Sequence, residues 1–337
     1  MGKDLEQSTR NTTIKAIRMA SSLPDNFVVS ADNTVSDENS YNPIYIFFDN
    51  TDDAGIIYFY TPARKIYMNE YSGVMFGNLN ALADITGASN WDTSMVTDMY
   101  GMFNKNLPNS TSQIPATIDL SPLANWDTSS VTNMAGMFAD NESLNNISAL
   151  SSWDTSSVTN MASMFNGDAS LNNISALSSW DTQSVEDMSY MFGDDTSLTD
   201  ISALSNWDTS SVANMEGMFT GDKSLNNISA LSNWNTSSVT SMSSMFYYNT
   251  SLTDISALSN WNTSSVKYMS SMFSYNRSLT DISALSNWNI SSVTSMGYMF
   301  YGVNNIDATV LNGWNVSNVT NKNNMFTCPA DKRPNWY

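Results

Sequence analysis

Apolar residues recur along most of this chain at a fixed interval, with neither a helical nor a strict alternating period. From Leu144 to Phe165 they are Leu144, Ile147, Leu150, Trp153, Val158, Met161, Met164 and Phe165. The early spacing of three, LxxIxxLxxW, matches neither an amphipathic helix nor a half-buried strand. It predicts a tight coil of short strands and corners. Val158–Met161 carries the β-branched residues of a short strand. Ala162–Phe165 predicts one helical or 3₁₀ turn, and Asn166-Gly167-Asp168 a tight turn tolerant of positive φ. Asp154-Thr155-Ser156-Ser157 suits an Asx turn or an N-cap.

The same template returns every 27 residues. Trp126, Trp153, Trp180, Trp207, Trp234, Trp261 and Trp288 keep that spacing. Trp91 precedes Trp126 by 35, so one repeat carries an eight-residue insertion, and Trp314 follows Trp288 by 26. A Met-Phe pair runs in register from Met75-Phe76 to Met325-Phe326, in ten copies. A period of this length with one apolar template predicts a β-rich repeat solenoid with short parallel strands, short helical or 3₁₀ turns and a minor helical share. Rungs ~4.8 Å apart would give ten coils a length on the order of 45–50 Å. Of 22 methionines, 18 occupy two columns of the repeat, where an unbranched thioether fills gaps without a polar partner.

The organisation then reads as three parts. Residues 1–65 lie outside the repeat and form an N-terminal cap. There Thr13–Ala20 suits a short helix or strand, and Ile44–Phe48, Ile56–Tyr60 and Lys65–Met68 read as strands, the first two joined by a turn at Asp49–Gly55. This aromatic hairpin covers an otherwise open first rung. Residues 66–326 are the ten-coil solenoid. Residues 327–337 are a C-terminal cap in which Trp336 folds over the last coil. The lone Cys328 excludes an internal disulfide; a buried or half-exposed thiol and intermolecular pairing are its two readings.

The run Trp153-Asp154-Thr155-Ser156-Ser157-Val158-Thr159-Asn160-Met161 with Met164-Phe165 resembles the BspA-like leucine-rich-repeat surface proteins of bacteria, over about residues 66–326. The resemblance implies a leucine-rich-repeat-like right-handed coil. It also implies a secreted or wall-attached protein that adheres to host proteins, mucus or cells. It brings no catalytic motif.

Composition narrows the chemistry. The chain of 337 residues has no His, one Cys and a formal charge of −19. No imidazole base, His-bearing triad or His-ligated zinc is available. The charge excludes nucleic acid and an anionic membrane as partners, and no apolar run is long enough to span a bilayer. Most acids stand in repeated columns rather than converging at a unique cleft, so no enzyme is expected.

Sites in a repeat array are sought where the repeat is broken. Residues 127–222 hold 14 acids and no Lys or Arg. Asp168, Asp195 and Asp222 share a column, with Asp194 beside them. Bound Ca²⁺ is one reading of these four, and a solvated turn in which Asp alternates with Asn141, Asn249 and Asn276 is the other. No other cofactor is implied. Beyond residue 240 tyrosines take over: Tyr247, Tyr248, Tyr275 and Tyr301 in the loop, with Tyr268 and Tyr298 in the Met segments. They are the candidate ligand-binding ridge, because Tyr gives large contact area at low entropic cost; padding of the loops is the competing reading. The insertion at 104–115 is a third candidate, with a tolerated neutral extension as its competing reading. The expected function is a monomeric extracellular module that binds a protein or glycan, with a structural stalk as the alternative.

Overall fold

The computed structural model describes residues 14–36, 41–48, 55–105 and 117–337. The turn at Asp49–Gly55, apart from Gly55, and most of the insertion lie outside them. The fold is a repeat fold built of turns and 3₁₀-helices. Among the described residues there is no α-helix.

The period of three has a specific origin. Leu150 N–H donates to Ile147 O at 3.0 Å and Trp153 N–H to Leu150 O at 3.2 Å. These are i→i+3 bonds, and Ser148–Ser152 is a 3₁₀-helix. At three residues per turn, residues three apart share one face, so Leu144, Ile147, Leu150 and Trp153 all point into the core. Asn146 Oδ1 accepts the Ser148 N–H at 3.0 Å and starts the turn. The same helix recurs at Ser175–Ser179, Ser202–Asn206 and Ser229–Asn233, and shortened at Ser256–Leu258 and Ser283–Leu285.

The strand expected at Val158–Met161 is reduced to one bridging residue per repeat. Parallel bridges link Asp98, Asn133, Asn160, Asp187, Asn214, Ser241, Tyr268, Ser295 and Asn321 in succession. Val158 is buried in the core rather than pleated in a sheet. The helical turn expected at Ala162–Phe165 is likewise absent. Met161, Ser163, Phe165 and Gly167 donate their N–H groups to Asp187, Ser189, Met191 and Gly193 of the next repeat at 2.7–3.0 Å. Met164 and Asn166 turn back to Met161 and Ser163, both at 3.2 Å. Ser163 and Gly167 lie at φ +56° and +82°, and these reversals stop a helix from propagating. Linked β-turns result, hydrogen-bonded face to face with the next repeat.

The core is a set of ladders. Phe138, Phe165, Phe192, Phe219, Phe246, Phe273 and Phe300 are fully buried and stack with centroids 5.7–5.9 Å apart at 7–9°. This exceeds the inter-strand spacing, as expected of offset rings. The tryptophans bond across repeats: Trp153, Trp180 and Trp207 Nε1 donate to Leu123, Leu150 and Leu177 O at 3.0–3.1 Å. Thr155, Thr182 and Thr209 Oγ1 donate to Asp181, Asp208 and Asn235 O of the next repeat at 2.8–3.0 Å.

Before the repeats, β1 (Ala16–Met19), β2 (Tyr45–Phe48) and β3 (Ile56–Tyr60) form a sheet in the order β1-β3-β2. β1 runs parallel to β3 and β2 antiparallel to it. β4 (Ile66–Tyr67) pairs in parallel with β5 (Trp91–Asp92). At the other end Trp336 stacks on Trp314 at 6.2 Å and donates Nε1–H to Leu311 O at 2.8 Å, extending the Trp ladder without a further repeat. Cys328 is fully buried, and burial raises its thiol pKa.

Candidate functional site

Two blocks of repeats share this core and differ in the two or three residues that follow Phe. The second position after Phe is occupied by Asp140, Gly167, Asp194, Gly221, Tyr248, Tyr275 and Gly302, all at positive φ between 61° and 82°. The chain reverses there, and Gly meets the requirement without strain. Asp tolerates it through local hydrogen bonding. Tyr248 and Tyr275, at φ +64° and +62°, have no such compensation.

In the second block the tyrosines gather. Tyr247 meets Tyr248 at 6.1 Å and Tyr275 at 5.8 Å between ring centroids. Tyr248 meets Tyr275 at 5.8 Å, and Tyr301 meets Tyr275 at 5.4 Å and Tyr298 at 5.6 Å. Four of these five contacts are edge-to-face or nearly so, the favoured aromatic geometry. Tyr298 is 44% exposed, while Tyr247, Tyr248, Tyr275 and Tyr301 are half-buried. The expected ridge is therefore a packed cluster of five rings showing edges and hydroxyls. Tyr268, 49% exposed, stands apart in the bridge column and makes no ring contact with the five. Lys223 lies over the Tyr248 ring at 5.6 Å and Arg277 over Tyr275 at 5.8 Å. These are two of only three basic residues between 106 and 321. Sequence reading did not single them out, although their scarcity was the available signal.

In the first block the third residue after Phe turns inward. Asp168, Asp195 and Asp222 are completely buried, which corrects the reading of a solvated turn. The physical reason is the reversal at Gly167, Asp194 and Gly221, which sends the next side chain back toward the core. Burial drives all three carboxyls well above the usual carboxylate range. Asp194 is exposed, one residue away in another column. Among the described residues no three acidic or thiol side chains gather to hold a metal ion. The third candidate, the insertion, has only Asn104 and Lys105 described. Lys105 is buried, donates Nζ–H to Leu82 O at 3.1 Å, and has its pKa lowered by burial to about 8.

The exposed Asp/Asn column does turn chemistry. Asp154 Oδ1 accepts the Ser156 N–H at 3.0 Å and its hydroxyl at 2.6 Å, and these bonds lower its pKa. Asn235 accepts from Ser237 in the same way.

A cavity of about 660 Å³ separates the N-terminal sheet from the first repeat, with Ile17, Ile57, Phe59, Ile66, Phe76 and Trp91 in its wall. Trp91 Nε1 has no acceptor. The other repeat tryptophans donate to a Leu or Ala main-chain carbonyl of the preceding repeat, and no LxxIxxLxxW segment lies one repeat before Trp91 to supply one. That break in the template was the signal for this feature.

Comparison with known families agrees with the repeat. A family model described as "Mycoplasma protein of unknown function, DUF285" matches four overlapping stretches, residues 72–174, 110–229, 198–283 and 226–333. No curated protein matches the chain. The matched stretches together span the repeats and most of the chain, so the chain belongs to the DUF285 family.

Proposed function

We propose that this chain is a non-catalytic recognition module of the cell surface. In this reading the repeats wind as a BspA-like, leucine-rich-repeat-type right-handed solenoid. It works as an extracellular monomer, and the tyrosine cluster engages an extracellular protein or glycan. No cofactor takes part.

The observation that carries the reading is the backbone under the cluster. Tyr248, Tyr275 and Tyr298 all sit at positive φ. Other repeats place Gly or Asp at the first two positions, as at Gly221, Gly302 and Asp194, and Gly, Ser or Tyr at the third, as at Gly217, Ser163 and Tyr190. A bulky residue held in the left-handed region costs about 1–3 kcal/mol, and such strain concentrates at binding sites. Two adjacent strained tyrosines, Tyr248 and Tyr275, in a column whose other left-handed residues are Asn, Asp or Gly are hard to account for by core packing, which the Phe and Met columns already complete. Lys223 and Arg277 give the cluster a cationic edge in an otherwise acidic chain.

The test borrows residues from the other repeats. Tyr248→Gly, Tyr275→Gly and Tyr298→Gly place at each site the residue that other repeats carry there, so the fold should persist. Binding of the parent chain and the triple variant is measured on immobilised mucin, extracellular-matrix proteins and a glycan array. At least a tenfold loss of binding in a folded variant supports the assignment, and unchanged binding refutes it.

The uniform seam between repeats favours a second reading, a structural spacer without a specific ligand. A blank array with both proteins folded and elongated in solution scattering would select it.

A further inference from the structure

The buried carboxyls of the first block take no part in surface recognition. Asp168, Asp195 and Asp222 stand in one column with Asn141 before them and Asn249 and Asn276 after, all at most 2% exposed. The column is tied together through one oxygen of each acid. Asn141 N–H donates to Asp168 Oδ1, Asp168 N–H to Asp195 Oδ1, and Asp195 N–H to Asp222 Oδ1, each at 2.9 Å. The other oxygen, Oδ2, is sealed from water in all three and has no partner. An ionised carboxylate in that state is among the costliest groups a core can hold.

Two of the three asparagines donate from this position, while neither amide atom of Asn249 has a partner. Asn276 Nδ2 donates to Phe246 O, 30 residues back, at 2.7 Å. Asn141 Nδ2 donates at 3.0 Å to Phe103 O, the equivalent carbonyl across the insertion. The corresponding carbonyls for the three acids belong to Phe138, Phe165 and Phe192. At Asn141 and Asn276 the position is used as a donor, and an Asp supplies one only when protonated.

A metal ion and a proton are the two occupants that would neutralise these groups. A hard cation takes six or more oxygens; here each acid has one oxygen left, and no metal-holding group forms among the described residues. The charged groups facing the column are Asp140, Asp194 and Lys105. The two acids oppose ionisation. Lys105 acts on Asp168 alone, and one buried amine cannot balance three carboxylates. Burial and like charges one repeat apart both favour the neutral form.

We propose that Asp168, Asp195 and Asp222 are proton-binding sites, held in the folded chain as neutral acids whose Oδ2–H takes the place of the asparagine amide, so that the central repeats tighten in mild acid and loosen as the protons leave. Three bound protons change the formal charge from −19 to −16. The sign follows from linkage. Unfolded Asp titrates near pH ~3.9, and the folded groups hold their protons to higher pH. Their contribution is complete below the unfolded value and declines as pH rises through the folded values.

The experiment compares the full chain with Asp168→Asn/Asp195→Asn/Asp222→Asn, each substitution placing the residue that flanking repeats already carry. Urea midpoints are measured from pH 4.5 to 9, and proton uptake on refolding at pH 7 is followed in weak buffer. The parent should take up close to three more protons than the triple variant. Its midpoint should fall with pH relative to the variant, which should be the more stable at pH 8. Equal uptake and parallel profiles overturn the proposal. So does a midpoint in the parent that shifts with added Ca²⁺ or with chelator while the pH profiles stay parallel. If the triple variant does not fold, ¹³C NMR of Asp-labelled parent decides: three carboxyl resonances at the protonated position at pH 7 support the proposal, and carboxylate positions for all Asp overturn it.

Discussion

The block from Asp140 to Asp222 and the block from Tyr247 to Tyr301 are the same machine with different finish. Both stack Phe on Phe with centroids 5.7–5.9 Å apart. Both carry a Trp that donates to the Leu carbonyl 30 residues back, Trp180 in one and Trp261 in the other, at 3.0 Å. They differ just after Phe. One block fills the left-handed position with Asp or Gly and, in three of its four repeats, buries an acid behind it. The other fills it with Tyr and buries Asn. The comparison separates what the repeat requires from what it permits. The core columns and cross-repeat bonds are required. The three positions after Phe are permitted to vary, and the buried acids and four of the five clustered tyrosines occupy them.

The hardest test of a shared core is Phe192→Ala against Phe273→Ala. Both rings are fully buried, and each truncation should cost about 3–5 kcal/mol. Urea denaturation should give losses equal within error. A twofold inequality would show that the blocks do not share one packing. A finer test uses the buried threonines. Thr182 Oγ1 donates to Asp208 O at 2.9 Å and Thr263 Oγ1 to Asn289 O at 3.0 Å. Thr→Val at either site leaves a carbonyl without its donor and should cost about 1–2 kcal/mol. Equality here would mean that the Asp-to-Asn change in the accepting residue leaves its carbonyl undisturbed. The smallest effect is expected from Asp194→Gly against Tyr248→Gly. The Tyr variant loses ring contacts but relieves strain, so its midpoint should move by no more than about 1 kcal/mol. The Asp variant should move less, because Asp tolerates the left-handed region. A loss well above 1 kcal/mol at Tyr248 would make the cluster a structural brace.

The repeat was fully legible in the sequence because Trp and Met-Phe mark it every 27 residues. The strands of the N-terminal sheet were legible for a similar reason: Ile44–Phe48 and Ile56–Tyr60 have runs of β-branched and aromatic residues, and β2 and β3 form there. Inside the repeat the reading failed where two geometries share a composition. Val158-Thr159-Asn160-Met161 has strand residues, yet its hydrogen bonds make one bridge. LxxIxxLxxW carries the 3₁₀ period openly, yet a spacing of three suits the corners of a tight coil as well. The site was legible by residue type and not by direction. The sequence placed Asp168 and Tyr248 near one another in the template. It could not say that a reversal at Gly167 turns the acid inward, since Asp and Asn suit an exposed turn equally well. The clustering of five rings, and the isolation of Tyr268, depend on side-chain direction across repeats, which spacing alone does not encode.

The Trp and Thr ties described above are the same at nearly every join. As far as these ties go, any join can accept any neighbour; the turns beside Phe are more selective, since a Cβ at Gly217 would meet the Tyr190 ring. Removing the 27 residues from Gly193 to Phe219 would bring Phe192 directly before Thr220, with Trp180 and Trp234 becoming consecutive members of the ladder. The Trp and Thr ties of the new junction would repeat those of the old ones, since contacts reach only adjacent repeats, while the Tyr190 ring, packed on Gly217 in the parent, would have to shift for the Ser244 side chain. Duplication would keep the same ties wherever a bulky turn residue such as Tyr190 still meets a glycine. The molecule is thus built to a length that can be edited in whole units, and the separation between its acid-bearing and tyrosine-bearing blocks is an adjustable dimension rather than a fixed one.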